Sequence, residues 1–391
     1  MRNPFEFGRA LRTHELVDRE SEVAAITSTL LGTSKLFLIG PRRYGKTSLL
    51  RAAEEKAERA GGIVLRHDAE AFPTLDRLAE RMLADAARRL TPTIEKAGIA
   101  LRDIFVRLRP IASVNAQSGE WSVSLSAADA HEAIPLLVDV LDGIERLAAR
   151  AKSPVALVLD EFQKIVEEGG PNAEAQIRAA VQQHRHLAYV FAGSKTRLLA
   201  DMTSDPNRPF YKLGEVRFLG PVPRADFASF LERKFAAGGI TVAQGAAEAI
   251  LDAAEDVPYN VQLLAHACWD ACNETVNRKK DAGQAAPLTP ELIRRTLHIV
   301  ALRSDPIYTQ LWSGLPSTQQ RALLALLRDR QAGLTVTAAA EHQKLPLSTL
   351  RKSLQLLERK GIIREEQTLG NTRLRLEDPF FGAWIALVIP T

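Results

Sequence analysis

The sequence predicts an α/β domain on a mainly parallel sheet, then an all-helical segment, then a C-terminal module of three helices and a hairpin. Three observations lead there. From Val17 to Phe218, short apolar or β-branched runs alternate with longer stretches of helical period, as strands covered by helices require. Gly220-Pro221-Val222-Pro223 then breaks the pattern, and helical periods follow to about Arg303. The chain has 391 residues, 46% hydrophobic and 25% charged, more than one core organises, and this composition excludes disordered and collagen-like chains. The expected divisions are 1–220, 221–303 and 304–391.

The clearest strands are Leu36 to Ile39, Ile63 to Leu65, Val155 to Leu159 and Leu187 to Phe191, each nearly all apolar, as strands buried on both faces should be. Helical periods cover Glu20 to Leu31, Lys46 to Arg59, Thr74 to Leu90, Ala133 to Ala149 and Ala173 to His184. The stretch 91–126 reads as an insertion, with a hairpin from Ala112-Ser113-Val114-Asn115 and Trp121-Ser122-Val123-Ser124 around Gly119. Beyond the break, helices are expected at Arg224 to Ala237, Ala246 to Ala254, Tyr259 to Lys279 and Pro290 to Leu302. The last part predicts helices at Thr318 to Arg330, Val336 to His342 and Ser348 to Lys360, and strands at Ile362 to Glu366 and Arg373 to Glu377, the pattern of a winged helix.

The chemistry begins at Gly40-Pro41-Arg42-Arg43-Tyr44-Gly45-Lys46-Thr47, which matches G-x-x-x-x-G-K-[ST] between an apolar strand and a helix. A loop turning into a helix aims successive N–H groups and the helix N-terminus at one anion, and the two glycines permit that path. Lys46 is expected at the β/γ-phosphates of ATP and Thr47 on Mg²⁺, a hard cation that takes oxygen ligands. The run Val155 to Leu159 ends in Asp160 and Glu161, at the edge where open α/β sheets bind ligands. Asp160 is expected to share the metal and Glu161 to orient or deprotonate the attacking water. Ser194, at the end of the next strand, either hydrogen-bonds the γ-phosphate or water, or caps the following helix. Arg42 and Arg43 either face the phosphates or decorate the loop. Cys268 and Cys272 read as reduced core residues of one helix, and His184 and His186 lack the further ligands of a metal site. With no apolar leader and no run of about 20 apolar residues, the expected location is the cytoplasm, away from membranes.

Taken in order, Asn3-Pro4-Phe5, Val17-Asp18-Arg19-Glu20, the loop from Gly40 to Ser48, Leu159-Asp160-Glu161-Phe162-Gln163, Ala192-Gly193-Ser194, Val257-Pro258-Tyr259-Asn260-Val261-Gln262 and Asp378-Pro379-Phe380-Phe381-Gly382-Ala383-Trp384 resemble the archaeal-type ATPases of the STAND class, relatives of AAA+ proteins. The resemblance covers nearly the whole chain apart from the insertion. It implies that Val17, Asp18 and Arg19 pack against adenine, that an extra strand lies between the two Walker strands, and that the Pro258 region reports nucleotide state from a helical lid. The chain departs from the family where Val257 replaces the usual glycine and Lys212-Leu213 the arginine often found after Phe210-Tyr211; without a clear arginine finger, slow hydrolysis and a switch are implied.

Near the C-terminus, Leu350, Leu354 and Leu357 mark one face of a helix and leave Arg351, Lys352 and Gln355 outward, with Arg359 and Lys360 at its end and Arg373 and Arg375 on the hairpin. From Leu315 onward eleven Lys and Arg face seven Asp and Glu, an excess equal to the net charge of +4 for the whole chain. These cations suit the phosphates of double-stranded DNA, while a winged helix docking a protein effector would look the same. Phe380, Phe381 and Trp384 are expected to pin the tail onto the winged helix rather than to stack bases. Three functions are therefore in view: an ATP-controlled switch, a DNA-binding regulator or loader with ATP as conformational ligand, and a signalling scaffold. A nucleotide-dependent homo-oligomer is compatible with each.

Overall fold

The computed structural model describes residues 2–11, 15–91, 110–114, 121–125, 133–170, 172–194, 196–278, 285–332, 345–368 and 371–389. They divide into two compact units, Arg9–Val222 and Met1–Gly8 with Pro223–Thr391.

The first unit runs α1 (Glu20–Leu30), β1 (Lys35–Ile39), α2 (Lys46–Arg59), β2 (Ile63–Asp68), α3 (Leu75–Leu90), β3 (Pro110–Val114), β4 (Trp121–Leu125), α4 (Ala133–Ala148), β5 (Val155–Asp160), α5 (Gln163–Glu168), α6 (Ala173–Gln183), β6 (Leu187–Gly193), α7 (Thr196–Ser204) and β7 (Glu215–Phe218). Five strands form a parallel sheet in the order β2-β5-β6-β1-β7. Strand β6 thus lies between β1 and β5, where the resemblance puts its extra strand.

Both faces of this sheet are covered, which is why its inner strands β1, β5 and β6 are almost wholly apolar. Phe37, Ile39, Leu65, Leu157, Leu159, Tyr189 and Phe191 join one core with α3, α4 and α6. The alternate residues Leu36, Leu38, Val64, Ala156, Val158, Ala188 and Val190 are equally buried, and by the two-residue period of strands they face the other way, where α1 and α2 pack. Phe37 and Phe191 stack at 4.9 Å, and Phe210 meets both Phe37 and Phe162 edge to face.

Strands β3 and β4 pair antiparallel, as expected of the insertion's hairpin. Sequence reasoning missed α5, α7 and β7. The Glu215–Phe218 strand is half exposed and carries two charges, so it lacks the apolar signature of the inner strands.

The second unit contains α8 (Arg224–Ala237), α9 (Ala246–Ala254), α10 (Pro258–Arg278), α11 (Pro290–Arg303), α12 (Asp305–Ser313), α13 (Ser317–Ala332), α14 (Leu347–Arg359), the antiparallel hairpin β8 (Ile363–Thr368) and β9 (Asn371–Leu376), and α15 (Pro379–Val388). The helix expected at Val336 to His342 lies outside the described residues. The amino terminus belongs here: Asn3 Nδ2 donates to the His266 carbonyl and to Asp270, and Phe5 is fully buried among Phe230, Phe235 and Trp269. Cys268 and Cys272 are buried thiols of α10 outside any disulfide, and burial pushes the Cys272 thiol up to about 11. The tail folds as helix α15. Trp384 donates to Asp305 at 2.8 Å, Tyr308 to Asp378 at 2.9 Å, and Phe381 stacks on Trp384. Among the described residues no helix is long and apolar enough to cross a membrane.

Candidate functional site

Parallel pairing makes β1, β2, β5 and β6 end at one edge, so the residues after Ile39, at Asp68, at Asp160 and at Gly193 arrive together. The turn Gly40–Thr47 leaves β1 there. Gly40 N donates to Gly193 O at 3.3 Å, and a Cβ on Gly40 would come within 2.8 Å of the Leu219 Cβ, so only glycine fits. Arg43 (φ 70°) and Gly45 (φ 90°) are left-handed, which folds the turn back onto the helix.

Helix α2 begins at Lys46 with no side-chain cap and no acid in its first turn. Its N-terminal N–H groups and dipole therefore favour an external anion. Lys46 is buried, and its ammonium donates to the Gly40 and Pro41 carbonyls at 2.7 and 3.1 Å, folded over its own loop. Thr47 is exposed one residue on, whereas Ser48 is buried and accepts from Leu11 N at 3.0 Å. Tyr44 is also buried. Arg43 is exposed, and Arg42 pairs with Glu70 at 2.8 Å.

Asp160 and Glu161 behave differently although they are neighbours. The Asp160 side chain is 6% exposed; its Oδ2 accepts from Arg66 Nη2 at 2.8 Å and its Oδ1 from Glu161 N at 3.2 Å. Glu161 has φ 50°, a strained value for a residue with a Cβ. Its Oε2 accepts from Ser194 N (3.1 Å), Ser194 Oγ (2.8 Å) and Gln163 Nε2 (2.5 Å). Burial pushes its carboxyl up, but the bonds from Gln163 and Ser194 and the Lys46 charge together hold it below the ordinary range. Asp68 is raised by burial and by the charges of Asp160 and Glu161, and Glu54 by burial and by Asp160 and Glu58, against the pull of Arg66.

The loop and the strand-end acids thus lie within electrostatic reach of each other. The Ser194 hydroxyl is engaged with Glu161. Sequence reasoning did not single out Arg66, Glu54 or the Gln163 hold on Glu161. The available signal was the arginine that directly follows the apolar run Ile63 to Leu65 in β2.

Elsewhere, Asp18 is left-handed (φ 46°), Val17 is half-buried, and the buried Arg19 is engaged by Glu22 (2.7 Å) and the Gly220 carbonyl (2.6 Å). Pro258 opens α10 in the second unit, behind the buried Val257. Arg351, Lys352, Gln355, Arg359 and Lys360 are exposed on and after α14, whose Leu350, Ser353 and Leu357 are buried, and Lys360 donates to Gln319 at 3.0 Å. Arg375 is half-buried on β9, the strand that also carries Arg373. His184 is engaged by Tyr189 and Asp142, and His186 by Glu145.

These residues fit a nucleotide with a divalent cation. The anion end has an uncapped helix and a buried ammonium, and the cation end has hard carboxylate oxygens whose mutual repulsion a cation relieves. Among the described residues no group of three or more His, Cys, Asp or Glu could hold a metal by protein ligands alone.

The fold is that of the P-loop NTPases, with the helical and C-terminal parts following the sheet. Residues 15–191 match the model of the AAA ATPase domain. The chain is similar in structure to a Walker-type ATPase of Pyrococcus abyssi, at 20% identity and TM-score 0.57 over 98% of this chain and 99% of that one. It is also similar to the ORC2 protein of Aeropyrum pernix in its ADPNP-ADP complexes, at 13% identity and TM-score 0.54 over 98% and 97%. No curated protein matches.

Proposed function

We propose that the chain is an ATP hydrolase used as a switch: it binds ATP with Mg²⁺ at the Gly40–Thr47 loop, hydrolyses it slowly, and couples nucleotide state to DNA or a partner protein through its C-terminal module. The observation that carries this reading is the placement of the uncapped α2 N-terminus and Lys46 at the same sheet edge as Asp160 and Glu161. The AAA ATPase domain match over 15–191 supports ATP as the ligand.

In this reading the Lys46 ammonium leaves the Gly40 and Pro41 carbonyls for phosphate oxygens, while the loop N–H groups from Pro41 to Ser48 cradle them; proline at 41 contributes shape, not a donor. Thr47 and Asp160 would hold Mg²⁺, which neutralises charge on the phosphates. Glu161 takes the proton of the attacking water, and its low basicity together with the hold of Ser194 and Gln163 keeps turnover slow. Ser194 positions that carboxylate. Val17, Asp18 and Arg19 flank the base, and the Pro258 segment of the lid, 221–303, relays the state to the module 304–391. There Arg351, Lys352, Gln355, Arg359, Lys360, Arg373 and Arg375 form the contact surface for DNA or a partner.

Glu161→Gln is the test: equilibrium binding of labelled ATP is retained while phosphate release is abolished. Unchanged turnover would remove Glu161 as the base.

A further inference from the structure

Arg66 stands one strand away from the Asp160 carboxylate. In the β2–β5 register Arg66 lies opposite Val158 and Asp68 opposite Asp160, so the four share a face and the guanidinium reaches diagonally to Asp160 Oδ2 at 2.8 Å. On its other side Arg66 Nε lies 3.6 Å from Glu54 Oε1, from the helix that begins at the phosphate loop. The Arg66, Glu54 and Asp160 side chains are 20%, 16% and 6% exposed, so water screens these charges poorly. The guanidinium sits among carboxylates: Glu54 and Asp68 both feel the charge of Asp160, and Asp68 also that of Glu161.

We propose that Arg66 is a positioning residue and internal counter-ion of Asp160, holding the carboxylate that a divalent cation must share and so lowering the affinity of the site for metal. This rests on the nucleotide reading above. A cation approaching Asp160 meets the repulsion of a fixed guanidinium and competes with it for carboxylate oxygen. Glu54 has the opposite effect, because it draws Arg66 toward α2 and adds negative charge. The arrangement lets the protein take up nucleotide before the metal is firmly seated, and it makes the strand-end acid a point of control.

The test is the Mn²⁺ affinity of the ATPγS-bound protein, followed by electron paramagnetic resonance. Arg66→Met is expected to bind Mn²⁺ about tenfold more tightly than wild type, and Glu54→Gln about threefold more weakly, from the change of one charge at this range. A gain of affinity is a result that structural damage would not produce, and Glu54→Gln gives an independent reading if Arg66→Met does not fold. Unchanged or weaker Mn²⁺ binding in Arg66→Met, or tighter binding in Glu54→Gln, would overturn the assignment. Failure of the wild type to bind ATPγS would instead overturn the nucleotide reading, and this one with it.

Discussion

Removing the Ser194 hydroxyl tests whether Glu161 is held as the geometry says. The Oγ lies 2.8 Å from Glu161 Oε2, one of three hydrogen bonds to that carboxylate oxygen. A hydrogen bond to a charged group contributes about 1.5–3 kcal/mol, and the lower end applies because the Ser194 amide and Gln163 keep their bonds. Ser194→Ala should therefore lose about 1.5 kcal/mol at pH 7, a fall of about 4 °C in the melting temperature of a unit of this size. The dependence on pH has a definite sign. Glu161 has a folded pKa below the unfolded value of 4.5, so its stabilisation is complete above that value and is lost as pH falls through the folded pKa. The gap between wild type and Ser194→Ala should accordingly narrow in acid. Denaturant unfolding from pH 7 downward reads both effects. Equal stabilities at pH 7, or a gap that widens in acid, would refute the assigned hydrogen bond.

Two further outcomes follow from buried groups outside the site. His67 on β2 is pushed down to about 4 by burial, with Arg81 adding to the shift and Asp85, 3.9 Å away, opposing it. The unfolded chain binds that proton near 6.5, so about 3 kcal/mol of stability should disappear between pH 6.5 and pH 4, and His67→Gln should flatten the denaturant midpoint across that window. In the second unit a methyl on Gly238 would overlap the Trp269 ring, which Phe5 and Phe235 hold in place. Gly238→Ala should cost about 2 kcal/mol by overpacking, seen as an earlier thermal transition with altered tryptophan fluorescence.

Local signals made much of this chain readable. The loop from Gly40 to Thr47 and the acids after Val155 to Leu159 carry their chemistry in consecutive residues, and the apolar strands between them are unmistakable because both faces of the sheet are buried. Elements without that local contrast were missed. Asp305–Ser313 starts one residue after the preceding helix, so the two read as one helix and a loop. The α15 helix is so apolar that it shows no helical period, and its packing on Tyr308 and Asp305 is a contact across some seventy residues. The Arg66–Asp160 pair, ninety-four residues apart, depends on strand order and register, neither of which periodicity reveals. The burial of Phe5 against α8 and α10 is a still longer connection of the same kind.

The central claim is that the Gly40–Thr47 loop grips a triphosphate through Lys46. Equilibrium titration of a fluorescent ATP analogue with Mg²⁺ into wild type and Lys46→Ala measures it directly. A loss of about tenfold or more in affinity, with the variant still folded by circular dichroism, is the predicted result. Equal affinity in the two proteins would contradict the account.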